Sequence, residues 1–192
     1  MRYSAIWPRY AKYWDGMKIN PSREAEFKAD AEYAINHKLL YQEAEKACGL
    51  PWAMIAVIHR REGNANFGTY LGNGQSLEMV TTIEPRGRGP FPGPNGFING
   101  CVDAVKVEGW GSVIDWRLEK VLYYMLLFNG VGSEAWGAPS SYIWGGTNIQ
   151  VPGKWVRDGV WDSHFIDPQP GSAPLLATIM QLDPSVTFIR ES

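Results

Sequence analysis

The chain has 192 residues, 45% of them hydrophobic and 20% charged, with a net charge of −2. That length and composition fit one soluble globular domain over 1–192 with a substantial core and no separate second domain, and they rule out a disordered or fibrous chain. The near-neutral charge and the lack of like-charge runs leave no sign of a nucleic-acid or anionic-membrane partner. Nine Trp within an aromatic content of 13% exceed what a core of this size needs.

Residues 1 to 19 carry Trp7, Tyr10, Tyr13 and Trp14 and are read as a segment packed on the domain. Arg9, Lys12, Asp15 and Lys18 leave no room for the apolar stretch of a Sec signal peptide, so synthesis in a cytoplasm without Sec export is expected. The longest apolar run, Val121 to Phe128, is too short to span a bilayer. Asn20-Pro21, followed by Glu24 and Glu26, marks a helix start, and Phe27, Ala31, Ala34, Ile35 and Leu39 recur at helical spacing. One helix over about 21–48 is expected, stopped by Gly49.

Next comes the stretch on which the functional reading rests, Pro51 to Gly63. Pro51 suits a first helical position and Gly63 a left-handed helix end. Residues 52 to 58 are apolar on all sides, which places this helix inside protein. Glu62 stacks over Ile58, His59 and Ile55, so its carboxylate emerges at the C-terminal end of a buried helix. Burial and the negative end of the helix dipole both disfavour its charge, so a raised pKa is expected, opposed by Arg60 and Arg61. A carboxylic acid held protonated can act as a general acid.

Asn73-Gly74 reads as a hairpin-type turn, Val80-Thr81-Thr82-Ile83 as a short β-prone run, and 84 to 96 as a Pro- and Gly-rich loop. Ile98, Val102 and Val105 predict a short helix reaching Glu108. Ser112 with Asp115 resembles a capping box for a long helix with Ile114, Leu118, Val121, Leu122 and Met125 inside, ending at Asn129-Gly130. Residues 131 to 171 interleave Trp136, Tyr142, Trp144, Trp155 and Trp161 with Gly, Pro and Ser. They are read as irregular backbone presenting aromatic rings, either to a sugar or to the core beneath. A last helix, capped by Ser172 with Pro174 in its first turn, closes the chain with Leu175, Leu176, Ile179 and Leu182 inward. Cys48 and Cys101 lack metal or redox spacing and are expected as free thiols.

Several segments in this order resemble the lysozyme-like superfamily, particularly goose-type lysozymes and soluble lytic transglycosylases. They are Ala56-Val57-Ile58-His59-Arg60-Arg61-Glu62, Gly72-Asn73-Gly74-Gln75-Ser76-Leu77, Phe128-Asn129-Gly130-Val131-Gly132, Ser140-Ser141-Tyr142-Ile143-Trp144 and Gly153-Lys154-Trp155-Val156. Together they also look like small phage-type lysozymes. The resemblance spans roughly residues 50 to 160. It departs at Gly63, where transglycosylases commonly have Ser.

The resemblance implies a mainly α (α+β) fold with a buried central helix, a small β or loop element and an aromatic-rich loop lining a cleft. It implies a muramidase without cofactor or metal, acting on bacterial peptidoglycan glycan strands as a monomeric endolysin after holin-type release. Glu62 would protonate the bond between N-acetylmuramic acid and N-acetylglucosamine. Thr81 or Thr82 would position water, and Gln75, Asn129, Tyr142 and Trp144 would bind substrate.

A second carboxylate is left open among Glu78, Glu84 and Asp103, at a distance that differs between inverting and retaining hydrolases. A transglycosylase needs none. A non-catalytic carbohydrate-binding or virion protein is the other alternative. A zinc amidase is disfavoured, because His37, His59 and His164 have no ligand spacing.

Overall fold

In the computed structural model, which describes residues 1–157 and 159–191, helix dominates. Nine α-helices among the described residues bring helical content to 51%, beside one two-stranded sheet. The chain divides into two compact units. One is Tyr33–Asp115, and the other is Met1–Glu32 with Trp116–Ser192. No helix among the described residues is long and apolar enough to cross a membrane.

The stretch expected as one helix over 21–48 is a 3-10 turn, Pro21–Arg23, then α2 (Glu24–Asn36) and α3 (Lys38–Cys48), α1 being Tyr3–Gly16. The break falls at His37, whose ring Nδ1 bonds the Tyr33 carbonyl at 2.8 Å and whose ring stacks on that of Tyr33. A side chain that takes an i−4 carbonyl offers the backbone an alternative to the helix. Leu39, expected inside, is 79% exposed, and α3 buries Tyr41 and Ala44 instead. Gly49 ends α3 with φ +80, as expected.

In the Tyr33–Asp115 unit, α3 packs against both α4 (Trp52–Gly63) and α5 (Gly96–Val107). Every residue of α4 from Trp52 to His59 is buried, which is the environment expected for a helix apolar all round. Its ends differ from expectation by one residue each. Pro51, with ψ 134, precedes the helix as its cap, and the left-handed conformation falls on Asn64 (φ 51) and Ala65 (φ 56) after Gly63. Gly63 is required for room. A Cβ there would lie 2.0 Å from Thr69 Oγ1.

The run Val80 to Ile83, expected as a strand, has no ladder partner among the described residues: Thr81 bonds the main chain of Arg88 and Gly87 in a turn, and the side chains of Gln75 and Asn73 take the main-chain groups of Thr82 and Ile83. The sheet lies elsewhere, in the other unit. There β1 (Lys154–Arg157) pairs antiparallel with β2 (Val160–Asp162), setting Trp155 opposite Trp161.

In that second unit α1 packs on α6 (Leu118–Asn129), and α8 (Ser141–Trp144) packs on α6 and on α9 (Ser172–Leu182), with α7 covering Gly132–Ala135. The capping box expected at Ser112 does not start α6, and Ile114 is 96% exposed. Helix α6 takes its start from the chain's C-terminal segment. The Leu118 N–H donates to the Ile189 carbonyl at 2.9 Å, and the buried Glu119 carboxylate accepts from Arg190 Nε and from the Glu191 N–H. Ser172 likewise caps nothing. Its hydroxyl donates to the Tyr142 carbonyl at 3.0 Å, which ties α9 to α8, while Leu182 is left 41% exposed. Cys48 and Cys101 are both free, Cys101 fully buried and Cys48 half-buried.

Candidate active site

The last turn of α4 is held by a buried polar core. His59 is fully buried, and its Nε2 lies 2.8 Å from the Asn66 carbonyl, which can only accept. The ring hydrogen is therefore on Nε2, and Nδ1 accepts from the Tyr41 hydroxyl at 2.8 Å. Desolvation pushes the His59 pKa down to about 4 and that of Tyr41 up. Phe67 and Phe97 close over the ring, with centroids at 4.9 Å and 4.6 Å. The Asn66 carbonyl also accepts from the Thr69 N–H and hydroxyl. One buried imidazole thereby fixes the turn that follows Glu62, whose own side chain is half-buried.

The Gly72-Asn73-Gly74-Gln75 loop returns onto this helix end. Tyr70 N–H donates to Gln75 O at 2.7 Å, and Thr69 bridges Ser76, so the hairpin-type turn is present, with Gly74 at φ +72. A Cβ on Gly74 would lie 2.0 Å from the Glu62 carbonyl oxygen. Only glycine admits that approach. From this loop, Gln75 Oε1 accepts from the N–H groups of Thr82 (2.7 Å) and Ile83 (3.1 Å), and Gln75 Nε2 donates to Thr82 Oγ1 at 2.9 Å. Asn73 Nδ2 reaches the Ile83 carbonyl at 3.1 Å. Glu62, Gln75 and Thr82 thus belong to one connected constellation.

Thr81 has a different place. It is buried, its hydroxyl donates to Pro85 O at 2.6 Å and accepts from the Arg88 N–H at 3.0 Å, and so it braces the 81–88 loop. Thr82 is the exposed member of the pair. Of the carboxylates considered as a second group, Asp103 pairs with Arg88, whose Nε lies 2.8 Å away, and accepts from the Tyr70 hydroxyl at 2.8 Å. Hydrogen bonding from Arg88 holds its pKa below the usual carboxylate range. Glu84 is exposed and pairs with Arg86 at 3.3 Å, and Glu78 is exposed. Among the described residues no group of three or more His, Cys, Asp or Glu side chains is placed to hold a metal ion.

No known family model, no curated protein and no solved structure matches this chain.

The remaining candidates lie in the Met1–Glu32 and Trp116–Ser192 unit. Asn129 is exposed at the end of α6. Tyr142 and Trp144 are 3% and 0% exposed, and Trp144 lies edge-on to Tyr10 (5.2 Å) and Tyr13 (5.5 Å), so neither ring offers a face to a sugar. The aromatic surface of this unit is instead Trp136, 70% exposed, with Trp155 and Trp161 of the hairpin, at ring separations of 6.5 Å and 5.6 Å. The Asp158-Gly159 pair in the sequence, a strong two-residue hairpin signal, marks that element.

Proposed function

We propose that the protein is a peptidoglycan-cleaving glycosidase of the lysozyme-like type in which Glu62 is the general acid. The observation that carries this reading is the placement of Glu62, half-buried at the end of a helix buried from Trp52 to His59 and backed by a loop whose Gly74 touches its main chain. A rigid helix terminus holds a proton donor in one direction, which general acid catalysis needs. The segment order from Ala56 to Val156 that resembles lysozymes gives the reading its substrate, the glycan strands of bacterial walls. A wall-directed endolysin made in the host cytoplasm and released through a holin-type pore fits that substrate.

The engagement of Asp103 by Arg88 and Tyr70 favours a second reading of the same site. A carboxylate so held is a poor base or nucleophile, and a lytic transglycosylase requires neither, since the muramic acid's own hydroxyl attacks. Digestion of purified cell walls separates the two. Hydrolysis leaves reducing muramic ends, transglycosylation leaves 1,6-anhydro ends, and cleaved stem peptides would defeat both. Glu62→Gln is expected to abolish clearing while the protein stays folded. Undiminished clearing by that variant would end the assignment.

A further inference from the structure

The side-chain amide of Gln75 sets the polarity of one exposed hydroxyl. Its oxygen accepts two main-chain N–H groups, those of Thr82 and Ile83, and N–H groups only donate, so this end of the amide must be the oxygen. The other end is then the NH2 group, and it donates to Thr82 Oγ1 at 2.9 Å. A hydroxyl has two lone pairs and one hydrogen. With one lone pair taken by Gln75, the Thr82 hydrogen cannot point at the Gln75 nitrogen and stays available to donate, on an exposed residue. Asn73 locks the arrangement from the other side, its Oδ1 accepting from the Gln75 N–H and its Nδ2 donating to the Ile83 carbonyl, both at 3.1 Å. The turn that carries both amides rests on the Glu62 carbonyl through Gly74.

We infer that Gln75 is a positioning residue that presents the Thr82 hydroxyl as a hydrogen-bond donor to the acetamido carbonyl of an N-acetylated sugar. This rests on the glycosidase reading of Glu62. An acetamido carbonyl is a strong neutral acceptor and cannot donate, so it rewards a hydroxyl whose hydrogen faces outward. A sugar hydroxyl both donates and accepts and is indifferent to that polarity. The Gln75 oxygen is fully used by two main-chain N–H groups, and one of its two amide hydrogens is committed to Thr82.

The test uses Gln75→Glu, a change of nearly equal shape. The carboxylate still accepts both main-chain N–H groups, but it cannot donate to Thr82 and instead draws the hydroxyl hydrogen inward. Calorimetric titration is done on Glu62→Gln protein, which leaves glycan uncut. The probes are the β-1,4 tetramer of N-acetylglucosamine and cellotetraose, which lacks acetamido groups. Adding Gln75→Glu is expected to leave Tm unchanged or higher and to weaken binding of the acetylated tetramer about tenfold, the worth of one hydrogen bond. Thr82→Val should lose the same factor and Thr82→Ser should retain wild-type affinity, with cellotetraose equally weak throughout. Undiminished affinity of Gln75→Glu for the acetylated tetramer overturns the inference, as does equal loss for both tetramers or binding of neither by the parent. Wall clearing by Glu62→Gln tests the parent reading separately. If that variant is inert and Gln75→Glu binds normally, only the role of Gln75 falls.

Discussion

Gly74 lies directly against the main-chain carbonyl of Glu62, so close that a single added carbon would come within 2.0 Å of the oxygen. The contact is backbone to backbone, and the glycine has φ +72. Neither partner can yield by rotating a side chain. Gly74→Ala therefore combines a left-handed Cβ penalty of about 1–2 kcal/mol with a clash that moves the loop off the helix end. Denaturant unfolding should show a loss beyond that penalty, and wall clearing should fall with it. Stability within a few tenths of a kcal/mol of wild type would show that the contact is not tight in solution.

The glycine at 63 makes a contrasting case. Its neighbour is the Thr69 hydroxyl, 2.0 Å from where a Cβ would stand, and its φ is ordinary. Gly63→Ala is expected to destabilise through that one contact, and Thr69→Ala through the lost bond to the Asn66 carbonyl. Combined, the two should cost less than their sum by at least about 0.5 kcal/mol, since the second removes the atom the first collides with. Strict additivity would show that the collision is relieved elsewhere.

These two glycines also show what the sequence discloses and what it hides. The punctuation Pro51 and Gly63 was enough to place the buried helix and Glu62 within one residue, because hydrophobic periodicity and helix-ending residues are local signals. The role of Gly63 was not legible, because it depends on Thr69, brought back by a turn that is fixed in turn by the buried His59. Val80 to Ile83 is β-prone in composition, yet strand formation needs a partner, and here a turn takes the Thr81 backbone while the amides of Asn73 and Gln75 take those of Thr82 and Ile83. Tyr142 and Trp144 read as sugar platforms because aromatic residues in a Gly-rich segment look alike whether they face in or out. Only the packing of Tyr10 and Tyr13 on Trp144 distinguishes them.

The buried imidazole predicts an acid-sensitive fold. Folded His59 titrates near 4, whereas an imidazole in the unfolded chain titrates near 6.5. Between those values the unfolded chain binds a proton that the folded one refuses, so stability falls as pH drops from about 6.5 to 4 and gains no further slope from this group below that. The difference corresponds to roughly 3 kcal/mol. Urea midpoints at several pH values, compared between wild type and His59→Gln, isolate it from the carboxylates. The variant should show a shallower decline across that window, and parallel declines would remove His59 as the cause.

Asp103 provides a prediction about chemistry. Its carboxylate is held below its usual range by Arg88, so its stabilising effect is present above the unfolded carboxylate pKa and is lost as pH falls through the lower folded value. Asp103→Asn should therefore lose stability at neutral pH. Because the carboxylate is spent on Arg88 and Tyr70, the folded variant should still clear walls at a rate within about threefold of wild type. A loss of several orders of magnitude in well-folded Asp103→Asn would make Asp103 the second catalytic carboxylate.

Trp136 and Trp144 are eight residues apart and should respond oppositely to truncation. Trp144 is fully buried against Tyr10 and Tyr13, so Trp144→Ala leaves a large cavity and is expected to cost about 3–5 kcal/mol. Trp136 is 70% exposed, and its main ring contact is Trp155 at 6.5 Å, so Trp136→Ala should leave stability within about 0.5 kcal/mol of wild type. If the exposed indoles of this unit hold glycan, sedimentation with insoluble peptidoglycan will weaken in Trp136→Ala and Trp155→Ala at unchanged Tm. Retention of full wall binding in both variants would assign these rings to another surface role, and unfolding of Trp136→Ala would contradict its exposure.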